Sequence, residues 1–183
     1  MLRTVTATAA LLVTLVLCAC QSPTDPNTTT DFIDTAVSPD PATAAGPTGR
    51  FYTIKGDSNT PDQVLEYDWR TTFTVTVTLN SHATDKNVDV TFPVKLTSAT
   101  VRVQQASGGI ITPPTGGDVE HYDFVSQASS NRFAAVNSSV SMTFDVWYDL
   151  PSLRKESLVN VNLTFSDDDG VTFSQSVEVN VAP

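Results

Sequence analysis

Cysteine is nearly absent: the 183 residues contain two, Cys18 and Cys20, both at the end of the N-terminal apolar segment. The rest of the chain therefore has no disulfide, no thiolate nucleophile and no cysteine-ligated zinc. Stability has to come from a packed core. Positive charge is scarce as well, with 10 Lys and Arg against 20 Asp and Glu for a net charge of −10. That sign repels phosphate backbones and excludes nucleic acid as a partner. Long apolar runs are missing too, because the stretch from Ala9 to Leu17 is too short to span a bilayer, which takes about 20 apolar residues. No G-x-S-x-G elbow, H-E-x-x-H helix or P-loop occurs.

What is present begins at the N-terminus. Arg3, the apolar stretch Ala9–Leu17 and a closing group of small residues have the layout of an export signal over residues 1–19. The segment "LVLCACQS" ends that run with Leu17, Cys18, Ala19 and Cys20. It resembles the lipobox of bacterial lipoproteins, with an aliphatic residue at −3, small residues at −2 and −1, and then the cysteine. Cys20 fits better than Cys18, because Leu17 is too bulky for the position before the cleavage site. The resemblance implies that Cys20 becomes the first mature residue, carries a diacylglyceryl group on its thiol and is acylated, for example with palmitate, on its amine. Two or three chains hold a protein on the membrane essentially permanently, which one chain does not. The implied location is the bacterial cell envelope, with the protein anchored by lipid and facing the periplasm or the cell exterior. An ordinary secretory signal with incidental cysteines is the alternative.

Residues 20–50 carry the lipid-bearing cysteine and a stretch rich in Pro, Thr, Ala and Asp, with little to bury. Such a composition cannot offset the entropy of ordering, so the expectation is a disordered tether with a reach on the order of 30 Å. Docking of Phe32 and Ile33 onto the domain is the other reading.

From Phe51 onward the apolar residues recur with period two, and residues 51–183 read as one all-β domain. Phe73, Val75, Val77 and Leu79 alternate with Thr72, Thr74, Thr76 and Thr78. The other inward sets are Val88, Val90, Phe92, Val94 and Leu96; Val140, Met142, Phe144, Val146 and Tyr148; Val159, Val161, Leu163 and Phe165; and Val171, Phe173, Val177, Val179 and Val181. Pro93 indicates an edge strand or a bulge. No segment past residue 50 has convincing helical spacing. Seven to nine such strands predict an antiparallel two-sheet sandwich. The pattern is similar to that of immunoglobulin-like modules of the fibronectin type III or cadherin kind, without the cysteine pair of antibody domains. A monomeric domain is expected.

Candidate chemistry is sparse. Asp167, Asp168 and Asp169 precede Gly170 in "SDDDGV" and are the one calcium candidate. An EF-hand register fails there, because Phe165 and Ser176 stand where acids are required, and Asp-Gly between strands is equally a hairpin turn. In "DVEHYDF", His121 and Asp123 share one strand face while Asp118 and Glu120 take the other, which makes half a metal site. The second histidine, His82, lies in a polar loop. Trp147 falls on the outward face of its strand and Trp69 follows Leu65 and Tyr67 at period two. Either could stack on a ligand or pack into the core.

No metal or other cofactor is implied. Two classes of function remain. One is a tethered binding or structural module that meets an envelope protein or a polysaccharide by contact, without catalysis. The other is a hydrolase or metal-dependent enzyme with its site in the 107–124 region.

Overall fold

The computed structural model describes residues 31–84, 90–105, 122–149 and 157–182. The signal-like segment, Cys20, His121, Asp118 and Glu120 lie outside the described residues. The described chain forms eleven strands: β1 Ile33–Ser38, β2 Ala42–Ala45, β3 Phe51–Ile54, β4 Gln63–Glu66, β5 Trp69–Leu79, β6 Val94–Gln105, β7 Tyr122–Ala128, β8 Arg132–Phe133, β9 Ser139–Tyr148, β10 Ser157–Ser166 and β11 Thr172–Ala182. One 3-10 turn, Ser81–Thr84, follows β5.

The alternating sequences become strands because only a period of two puts every second side chain on one face. One layer runs β7-β9-β5-β1 and the other β8-β6-β10-β11, while β2 joins them by pairing with both β5 and β11. With β1, β5, β9 and β7 in one layer and β6, β10 and β11 in the other, the order is that of constant-type immunoglobulin-like sandwiches. The fold is an all-β sandwich as the periodicity predicts, with one correction to its antiparallel character. Strands β2 and β11 run parallel, pairing Ala42 with Val181 and Thr43 with Ala182.

A single buried cluster drawn from both layers fills the space between them. Val75, Leu79, Phe144, Val146, Tyr148, Val159, Val161 and Phe165 are fully enclosed. Ring contacts supplement area burial: Phe73 stacks on Phe144 at 5.4 Å and Phe165 on Phe173 at 5.4 Å, while Phe133 meets Phe165 edge-on at 5.8 Å. Truncating an enclosed phenylalanine such as Phe144 to alanine costs about 3–5 kcal/mol.

Two sequence expectations are overturned. Residues 31–50 are not tether. Phe32 and Ile33 are buried, Phe32 meets Phe173 edge-on at 5.1 Å, and Ala42 and Ala44 are enclosed, so the fold begins some twenty residues before Phe51. The composition misleads because two short strands with two apolar anchors and two alanines bury little area each, yet they dock on a partner sheet already formed. Pro39 and Pro41 sit in the break between β1 and β2, where a missing N–H removes no ladder bond. The second correction concerns Val171: alternation assigns it inward, but it lies 47% exposed in the turn before β11.

Pro93 precedes β6, so the strand starts at Val94. The irregularity falls a little later, where the pairing of β6 with β10 shifts register at Thr97. One extra residue there reverses the parity, so Val94 and Leu96 share the inward side with Val101 and Val103.

Candidate functional site

Trp147 is not an open stacking platform. It points to the outer face of the first layer, as its strand position predicts, yet it is only 8% exposed. Two arginines cover it: the Arg50 guanidinium lies 4.2 Å and the Arg70 guanidinium 5.4 Å from the ring centroid. Register explains the meeting, since Trp147 of β9 stands between Arg70 of β5 and Asp123 of β7. Arg50 donates to Asp123 from Nε at 2.8 Å and also from a terminal nitrogen, while Arg70 donates to Asp145 at 2.7 Å. Burial raises the Asp145 carboxyl, but hydrogen bonds from Thr72 and Arg70 and the Arg70 charge outweigh it and hold the group below the usual carboxylate range. Trp69 packs partly buried against the core.

Arg50 also anchors the hairpin that begins at Phe51. Strands β3 and β4 form a separate two-stranded sheet, pairing Phe51 with Glu66, Tyr52 with Leu65, Thr53 with Val64 and Ile54 with Gln63. A lone hairpin is marginal in water. Its two legs are closed at the base, where Thr48 donates to the Tyr67 carbonyl at 2.8 Å, Gly49 N–H to Glu66 at 2.6 Å and Tyr67 N–H to the Arg50 carbonyl at 3.0 Å, and the Arg50–Asp123 pair ties that base to the sandwich. Tyr52 and Tyr67 pack ring to ring at 4.6 Å, and Asp68 N–H donates to Asp149 at 2.6 Å. Burial first, then a hydrogen bond with Asp149 and nearby negative charge, push the Tyr52 phenol above its ordinary value. Burial and the charge of Asp149 likewise raise Asp68.

Part of the hairpin is open to solvent. Phe51 is 60%, Val64 64% and Leu65 40% exposed, so three of the five large exposed apolar residues found among the described residues lie on it. Sequence reasoning passed over this stretch, although "FYTI" and "QVLE" flanking the turn-rich "KGDSNTPD" carry a hairpin signal.

The outward threonines of β5 pair across to β9: Thr74 with Thr143 at 3.1 Å, Thr76 with Ser141 at 3.0 Å and Thr78 with Ser139 at 2.7 Å, while Thr72 donates to Asp145 at 2.6 Å. These hydroxyls bond to one another and form a solvated face with its hydrogen bonding largely satisfied internally.

The Asp167–Asp169 turn is occupied by the chain itself. Asp167 is buried and accepts N–H bonds from Val171 at 2.7 Å and Thr91 at 3.2 Å. Asp169 accepts from the Thr91 hydroxyl at 2.6 Å, and Asp168 lies 4.0 Å from Lys95. Asp167 and Asp169 both take hydrogen bonds from Thr91 while Asp168 faces Lys95, the geometry of a turn fastened to the segment before β6. Among the described residues no group of three His, Cys, Asp or Glu side chains is placed to hold a metal ion. His82 is exposed in the 3-10 turn. Of the 107–124 region only residues 122–124 are described; there Asp123 is engaged by Arg50. Among the described residues no helix is long and apolar enough to cross a membrane.

No protein-family model matches the chain, and no curated protein matches it.

Proposed function

We propose that the chain is a cell-envelope lipoprotein, anchored through acylated Cys20, whose acidic β-sandwich acts by contact as a monomeric binding or structural module for an envelope protein or polysaccharide. The observation that supports this reading most is the β3–β4 hairpin, a rigidly based projection carrying exposed Phe51, Val64 and Leu65. Large apolar side chains clustered in the open mark interaction surfaces more often than scattered ones do. The carboxylates, by contrast, are distributed among structural hydrogen bonds and ion pairs.

The lipobox-like spacing supports the anchor, and the fold sets its geometry. With β1 starting at Ile33, about a dozen residues separate Cys20 from the sandwich, at most roughly 40 Å when fully extended. The test is complementation of a deletion strain. Cys20→Ser is expected to leave the membrane fraction, or to stall as precursor, and to lose function, whereas His82→Ala with His121→Ala keeps it. Loss of function in the histidine double variant at unchanged Tm would refute action by contact.

A further inference from the structure

We propose that the free edge of β4 is a docking site for an extended segment of a partner protein in which apolar and basic residues alternate, added to the hairpin as a third strand. This deepens the contact-module reading and rests on it. Three observations carry it.

The first is the ladder. Among the described residues β3 and β4 pair only with each other, so each strand has one side without a ladder partner. Edge strands in native proteins are guarded by shortness, by charge, especially lysine, by proline or by a bulge. The four residues of β4, Gln63-Val64-Leu65-Glu66, are short and end on one acid, Glu66, but include no lysine, no proline and no bulge.

The second is exposure. In β3 alternate residues, Tyr52 and Ile54, are half-buried, whereas in β4 the adjacent residues Val64 and Leu65 are both exposed. Adjacent strand residues point to opposite faces, so both faces of β4 are open at Val64 and Leu65, whereas one face of β3 is partly covered. A segment laid beside it gains main-chain hydrogen bonds from the edge and apolar contact with Val64 on one face and Leu65 on the other, the recognition mode of strand addition.

The third is charge. Residues 50–68 carry Arg50 and Lys55 against Asp57, Asp62, Glu66 and Asp68. Both cations are already engaged, Arg50 by Asp123 and Lys55 by Asp62 at 2.7 Å. Asp57 is held below the usual carboxylate range by the Asn59 N–H and the Thr60 hydroxyl, neutral donors that leave its charge uncompensated. The partner that fits is therefore basic, and its charges would also speed encounter with an acidic chain.

The experiment uses the full-length chain in detergent micelles with two labelled ten-residue probes, one alternating Val and Lys and one alternating Val and Glu. The Val–Lys probe is expected to bind at least tenfold more tightly and to slow amide exchange at Val64 and Leu65. Val64→Lys should weaken it tenfold or more, while Thr76→Lys leaves it unchanged. Equal affinity for both probes, or protection on β5 and β9 in place of β4, would overturn the proposal. In cells, benzoylphenylalanine is placed at position 64 and, separately, at position 76. A protein adduct at 64, mapping to a basic and apolar segment, is the expected result. Adducts at 76 alone, or at 64 with a glycan, a lipid or a second copy, overturn this proposal but leave the contact reading standing. Adducts at neither position overturn both.

Discussion

At the scale of single residues, the informative side chains are the ones that fasten the hairpin. Arg50 makes an ion pair and a cation–π contact at once, and both are partly solvated, so together they stabilise by about 1 kcal/mol. Arg50→Ala in a Trp69→Phe background should shift the Trp147 emission to the red as water reaches the ring; unchanged emission would show that Arg70 alone covers it. Tyr52 gives a pH test. The folded protein holds the phenolic proton more tightly than the unfolded chain does, so this contribution is complete below pH 10 and is lost as pH climbs above it. The melting temperature of the native chain should therefore fall more steeply above pH 10 than that of Tyr52→Phe. Parallel curves would mean that the phenol is not coupled to folding. Neither role was legible in the sequence. The outward direction of Trp147 follows from strand parity, but its cover comes from a residue 97 positions away in the chain.

At the scale of elements, the period-two pattern was sufficient wherever a strand is long and buried on one side. The inward sets of β5, β9 and β10 are those expected from alternation, because eight or more residues of strict period leave no competing geometry. Legibility failed where an element is short or interrupted. Strands β1 and β2 have too few apolar residues to show a period, and the bulge at Thr97 reverses the parity of β6 midway. The consequence can be measured by truncation. A chain starting at Asp31 should unfold cooperatively, whereas one starting at Arg50 loses the β1–β5 and β2–β11 pairing and uncovers Leu79, Phe173 and Val181. It should melt at markedly lower temperature or aggregate. Equal melting temperatures for the two would return residues 31–49 to the tether.

At the scale of the whole molecule, the proposed lipid anchor would make an acidic sandwich meet its partner under a geometric constraint. Anchoring turns encounter into a local event at an effective concentration far above the bulk, so even weak strand addition at the hairpin would be well occupied. The early start of the fold shapes this constraint, because a leash of about a dozen residues would join the sandwich at Ile33, beside Leu79. The hairpin leaves from the Trp69 end of β5, so an anchored chain would carry it at the end of the sandwich remote from the leash. The architecture was legible from patterning, whereas the proposed contact surface was not, because exposure of Phe51, Val64 and Leu65 is a property of where the hairpin sits. The most direct measurement is the yield of the position-64 protein cross-link in cells making equal amounts of exported chain with Cys20 or with Cys20→Ser. The account predicts the same partner in both and a yield at least tenfold higher from the anchored chain; equal yields, or a different partner for each, would contradict it.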